Sequence, residues 1–345
     1  MRNKPKALLV GNGINRVFQD QELSWNALLL ELARELGGKI DLSNPLTPLP
    51  LAFEELLRIT KDKYLSSIRE DKEKIARFYK KALKSKEPHK WIADNHTYDH
   101  IMTTNYEYTI EQAIQPGFSP IEQNIVSTNE ENNSLLRKYD FPSKDGILKK
   151  TVWHIHGEIE HAKHKNTEVI KPSNSILIGY NQYIAYQKAV FDYFYISKSS
   201  RYSSYTRLID KLNSFTENEL PNVESWIDLF FFKNIDIVGL TLDFSELHLW
   251  WILNRRFALQ RDGKVRDVFH SANRHLSKSN KTTITNCIRY YYPRLADRIC
   301  HYKCPLLIES VKLNSIISML NVMGVETVPV DCNSYEQFYE KVLKP

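Results

Sequence analysis

Apolar residues follow two rhythms along this chain. Ala7-Leu8-Leu9-Val10 is a continuous run too short for a helix, and it leads straight into Gly11-Asn12-Gly13. Such a run predicts a strand buried on both faces, as at the centre of a parallel sheet. Over 24–32 the apolar residues resume at helical period, with Ser24 as the N-cap. Strand, glycine turn and helix make the first unit of a nucleotide-binding α/β fold. Helical spacing continues to about Trp91, with helices at 51–60 and 68–83 and a break marked by Pro45, Pro48 and Pro50.

A second short strand is predicted at 98–105, ending in polar residues. The helix after it carries Tyr108, Ile110, Ala113 and Ile114 and stops at Pro116-Gly117. A polar loop at 127–134 precedes a β-branched and aromatic strand at 151–157. Residues 175–178 read as a further short strand, 180–198 as an aromatic-rich helix, and 230–242 as a buried strand with a turn. Then come a helix at 247–257, a strand at 264–269, a helix at 310–322, a strand at 325–329 and a helix at 334–342. This alternation predicts a single domain over 1–345. It is an α/β fold, a Rossmann-like doubly wound parallel sheet with helical insertions at about 20–95 and 180–228.

Composition changes this picture little. With 42% hydrophobic and 26% charged residues over 345 positions, a sizeable core is expected. The net charge of +6 is spread along the chain, so its lysine-rich turns read as solvated faces and no nucleic-acid binding by this chain alone is expected. The four cysteines (Cys287, Cys300, Cys304, Cys332) lie in the last sixth, with neither a disulfide framework nor paired knuckles. Cys300, His301 and Cys304 have a metal-clip spacing, but no metal is expected. Basic residues at the N-terminus precede only four apolar ones, unlike a signal peptide, and 227–240 is interrupted by charges, so the expected location is cytoplasmic.

Ligands of an open parallel sheet bind beyond the carboxyl ends of its strands. Four predicted strand ends carry polar or glycine residues: Gly11-Asn12-Gly13, Thr103-Thr104-Asn105, His154-Ile155-His156-Gly157 and Gly239-Leu240-Thr241-Leu242-Asp243. Each has a purely structural alternative, since asparagine caps turns, histidine satisfies carbonyls and glycine simply turns.

In this order the stretches resemble the sirtuin superfamily, in the form of bacterial sirtuin-like proteins. Gly11-Asn12-Gly13-Ile14-Asn15 is similar to the Gly-Ala-Gly-Ile-Ser opening. Thr103-Thr104-Asn105-Tyr106 resembles the turn with the catalytic asparagine, and Ile155-His156-Gly157 the Leu-His-Gly with the catalytic histidine. Residues 176–183 resemble the strand and Tyr-ended turn that follow, and 238–243 the Gly-x-Ser-x-x-Asp nucleotide loop, with the acid one place early. The resemblance spans about residues 6 to 260. It departs in having Glu107 where aspartate is usual, and no cysteine between Gly157 and Gly239 for the zinc ribbon of deacylases.

The resemblance implies a sirtuin-like NAD glycohydrolase without a zinc ribbon, of the branch associated with bacterial antiphage defence. NAD is the substrate. The Gly11–Gly13 turn, with Asn12, Asn15 and the helix N-terminus, takes the pyrophosphate. Asn105 bonds a ribose hydroxyl or positions water, and His156 is the general base, a role suited to imidazole. Gly239, Thr241 and Asp243 face the adenosine side. His154, two residues from His156, is expected on the same strand face but with a lesser role. With no Gly-x-x-x-x-Gly-Lys-(Ser/Thr) segment in the chain, regulation is expected through homo-oligomers and a separately encoded sensor or HerA-type ATPase partner. Aromatic residues of 180–205 (Tyr193 and Tyr195 among them) and one of Trp250-Trp251 are expected to form the contact surface. The alternatives are a catalytically silent NAD- or ADP-ribose-binding regulatory subunit of an ATPase or nuclease, and a deacylase.

Overall fold

In the computed structural model β1 (Lys6–Val10) buries its apolar side chains alternately, Ala7 and Leu9 into one core, Leu8 and Val10 into the other. The structure describes residues 6–17, 24–42, 47–60, 74–75, 85–119, 135–142, 149–159, 162–163, 169–170, 176–196, 198–199, 204–214, 222–262, 284–295 and 305–345. After β1 come α1 (Gly13–Val17), α2 (Trp25–Glu35), α3 (Leu49–Thr60) and α4 (Glu87–Asp94), then β2 (Tyr98–Thr103) and α5 (Thr109–Ile114). Ser24 caps α2, its hydroxyl accepting from the Ala27 N–H at 3.1 Å. β3 (Tyr139–Phe141) and β4 (Lys150–His154) follow. Two short hairpins, β5 (Ala162–Lys163) with β6 (Val169–Ile170) and β7 (Lys198–Ser199) with β8 (Ser204–Tyr205), flank α6 (Tyr180–Tyr195) in sequence. The remainder is α7 (Leu208–Ser214), α8 (Trp226–Phe232), β9 (Ile235–Val238), α9 (Leu247–Asp262), β10 (Ile288–Leu295), α10 (Pro305–Val322), β11 (Glu326–Cys332) and α11 (Tyr335–Leu343).

The main sheet runs β11-β10-β9-β1-β2-β4-β3, and every pairing except β3–β4 is parallel. Counting only the six parallel strands in chain order, this is the doubly wound order 3-2-1-4-5-6. α1 to α5 and α11 pack on one face, α6 to α10 on the other. The fold is therefore the Rossmann-like α/β fold, with one antiparallel edge strand.

Several elements differ from the sequence reading. Residues 226–232 form a helix, and only Ile235–Val238 of the expected 230–242 strand is extended. Ser225 and Asp228 explain this: the Ser225 hydroxyl accepts from Ile227 N–H, and Asp228 accepts from the Ser225 N–H at 3.2 Å, a capping box that starts a helix. Residues 176–178 join no sheet; Leu177 N–H makes a single bond to His156 O at 2.8 Å. β3 and β10 were not foreseen. The expected strand at 264–269, the loop at 127–134, the clip Cys300-His301-Cys304 and all of the 68–83 helix but residues 74–75 lie outside the described residues. Tyr193 and Tyr195 are fully buried, because the last turn of α6 is enclosed by its neighbours, and Trp250 is buried as well. Of the expected aromatic contact surface, Tyr193, Tyr195 and Trp250 are thus part of the core, while Trp251 is half-buried.

Candidate active site

The order of strands reverses between β1 and β9, and the loops leaving their carboxyl ends are joined there. Gly11 N–H donates to Val238 O at 3.1 Å and Gly13 N–H to Gly239 O at 2.9 Å. A Cβ at Gly11 would stand 2.6 Å from Gly239 O; one at Gly13 would stand 2.7 Å from it and collide with Tyr339 Oη. Gly239 itself has φ +66°. The three glycines let the two loops close on each other. Their N–H groups in the first loop are spent inside the protein, and α1 behind them is only five residues long.

Asn12 is half-buried beside this junction, and Asn15 lies completely buried behind it. The Asn15 amide donates to Glu107 Oε1 at 2.7 Å and to Asn12 Oδ1 at 3.1 Å, and its oxygen meets His89 Nε2 at 3.0 Å. Asn15 therefore ties the loop after β1 to the loop after β2 and has no polar group left for a ligand. Glu107, which also accepts from Thr109 Oγ1 at 3.1 Å, serves that bridge. Burial raises its pKa, with the Asn15 bond opposing.

Asn105 follows β2. Its backbone N–H donates to Thr103 Oγ1 at 3.0 Å, and its carbonyl is held by His154 Nδ1 at 2.9 Å. The side-chain amide is a different matter: both Oδ1 and Nδ2 are buried without a hydrogen-bond partner among the described residues. An orphaned buried amide costs about 1–3 kcal/mol for each unmet group, so this one points to a ligand that supplies both a donor and an acceptor.

His154 and His156 do not share a face. β4 ends at His154, the chain turns, and the two rings enter opposite layers. His154 packs against Tyr108 and Tyr139 and pairs with Glu111 at 2.6 Å. Burial opposes its charged form, but Glu111, Glu158 and the Asn105 carbonyl together lift its pKa to about 9. His154 is therefore a charged anchor for the Asn105 loop. His156, also buried, packs on the Tyr183 ring at 5.5 Å and meets two groups invisible to the sequence reading. His248 Nε2 lies 3.2 Å and Glu246 Oε2 3.0 Å from His156 Nε2. Burial, with His156 alongside, holds His248 well below the usual imidazole range. The signal that was there to find is Glu246-Leu247-His248 itself, which begins three residues after the β9 loop ends at Asp243.

Thr241 is exposed, and Asp243 is committed within the protein: it accepts from Ser245 N–H at 3.0 Å and pairs with Lys312. Burial would raise Asp243, but Lys312 and Ser245 hold it below its usual value. Leu242 between them has φ +48°, a strained turn that sets up α9. The structure thus gathers Gly11, Gly13, Asn105, His156 and Gly239 at the carboxyl edge of the parallel strands, and gives Asn15 and Asp243 internal partners.

No curated protein matches this chain. Residues 99–217 match the family model described as the SIR2-like domain, a stretch that begins in β2, contains Asn105 and His156 and ends just after α7. Domains of this kind are generally NAD-dependent enzymes. The segment from 99 to 217 thus resembles a SIR2-like domain, and it lies within a Rossmann-like sheet.

Proposed function

We propose that this protein is an NAD glycohydrolase, cleaving NAD with water to nicotinamide and ADP-ribose. The observation that carries the reading is the Asn105 amide, buried and unmatched at the carboxyl edge of β2, with His156 one strand away. The bond broken joins the nicotinamide nitrogen to the ribose. Asn105 has the donor and acceptor to hold a ribose hydroxyl or the attacking water, and His156 is the group to take the proton. The crevice over Gly11, Gly13 and Gly239 is the place for the dinucleotide, by the general rule for open α/β sheets. A cell cannot survive unregulated NAD loss, so the protein acts as a defence effector released by self-assembly or by a separately encoded sensor or ATPase partner.

Incubation of the purified protein with NAD, with free nicotinamide as the readout, tests this. Asn105→Ala and His156→Ala should each lower the rate by roughly 10²-fold or more with the fold intact. Absence of nicotinamide release, with and without a partner, would instead favour a silent NAD-binding subunit.

A further inference from the structure

We propose that His156 Nε2, His248 Nε2 and Glu246 Oε2 bind a divalent transition-metal ion of the zinc class, and that the bound ion holds NAD cleavage off. The three atoms form a triangle with edges of 3.2, 3.0 and 3.7 Å. A tetrahedral zinc with bonds of about 2.0–2.1 Å to nitrogen and oxygen requires ligand–ligand edges of about 3.3 Å. The triangle has that size before any ion is placed in it.

Hydrogen bonding does not account for the convergence. An imidazole nitrogen carries one proton or one lone pair, yet His156 Nε2 faces both His248 and Glu246. Glu246 Oε2 is buried and makes no aligned hydrogen bond although His156 Nε2 stands 3.0 Å away. Two imidazoles and a carboxylate form a zinc ligand set that leaves a fourth position open. The rings are also held in place: His156 packs on Tyr183, and His248 lies 5.2 Å from the Tyr186 ring and 6.1 Å from Trp226. Little rearrangement is needed to receive the ion.

The regulatory half of the inference rests on the proposed role of His156 as general base. A neutral imidazole bound to metal through Nε2 carries its one proton on Nδ1, so neither nitrogen has a lone pair for a substrate proton. Metal binding and proton acceptance by His156 are mutually exclusive. Removal of the ion restores the base.

The test uses the full-length protein, stripped with a chelator and dialysed, then titrated with Co2+ as a visible-absorbing stand-in for zinc. One equivalent should bind and give a ligand-field spectrum, with affinity at least tenfold weaker in Glu246→Gln and in His248→Gln. Thermal melting establishes that both variants are folded. In the same preparation Zn2+ should lower nicotinamide release at least tenfold, and chelator should restore it. A folded protein that binds no Co2+, or binds it equally well in both variants, overturns the site. Stoichiometric binding with undiminished nicotinamide release overturns the off-switch. If the metal-free protein releases no nicotinamide, with and without a partner, the glycohydrolase reading fails and the off-switch with it, while the Co2+ spectrum still decides the site.

Discussion

His154 shows at the scale of one residue how environment overrides sequence spacing. Two residues from His156 on a strand would put it on the same face, but the strand stops between them. Its ring is instead enclosed between Glu111 and the Asn105 carbonyl. From sequence, His154→Ala is expected to lower nicotinamide release much less than His156→Ala. For stability the structure leads to a large effect, because truncation leaves the Glu111 carboxylate buried without its cation, a loss of ~3–5 kcal/mol. Urea denaturation should show a markedly lower midpoint, and His154→Ala with Glu111→Ala should recover part of it. An equal midpoint for wild type and His154→Ala would refute the anchoring role. Asn105 and His156 were legible because each stands in a polar cluster at the end of a predicted strand. Glu246 and His248 were not, because nothing in their spacing says that residues about 90 positions from His156 fold back onto it.

At the scale of elements, α8 was hidden for a physical reason. All seven of its residues are buried, so it has no polar face and no period of 3.6 to detect. Its identity is carried by the polar residues at its start. Asp228 accepts from Tyr193 Oη at 2.9 Å, from Lys211 Nζ at 2.7 Å and from two backbone N–H groups. That one carboxylate joins α6, α7 and α8. Asp228→Ala, which leaves the buried Lys211 ammonium with the partly exposed Glu224 as its one carboxylate among the described residues, should cost ~3 kcal/mol or more. Equilibrium unfolding measures it, and a change within ~0.5 kcal/mol would refute the role. By contrast α2 and α11 announced themselves, since each has a serine cap ahead of an amphipathic run.

At the scale of the whole molecule, the dense aromatic content serves the core of one face of the sheet, where Tyr183, Tyr186, Tyr193, Phe194 and Tyr195 are all buried. Among the described residues no helix is long and apolar enough to cross a membrane. Other apolar residues are open to self-assembly. Val311, Met319 and Val322 of α10 are 57%, 38% and 69% exposed and share one helical stripe. Light scattering across micromolar concentrations should show a dimer or larger species, reduced to monomer in Val322→Glu. A strict monomer with full nicotinamide release would remove assembly from the scheme.

Sequence by itself determined the strand and glycine turn of 6–13 and the capped helices α2 and α11, because those choices depend on residues a few positions apart. It also marked Gly11, Gly13, Asn105, His156 and Gly239 as strand-end residues. Only the tertiary structure decided that β1 and β9 lie side by side, that Asn15 turns inward to Glu107, and that Glu246 and His248 close on His156. Those outcomes depend on which strands pair and how deeply each loop is buried, and burial is what converts a histidine or a carboxylate from a solvated side chain into an anchor or a ligand.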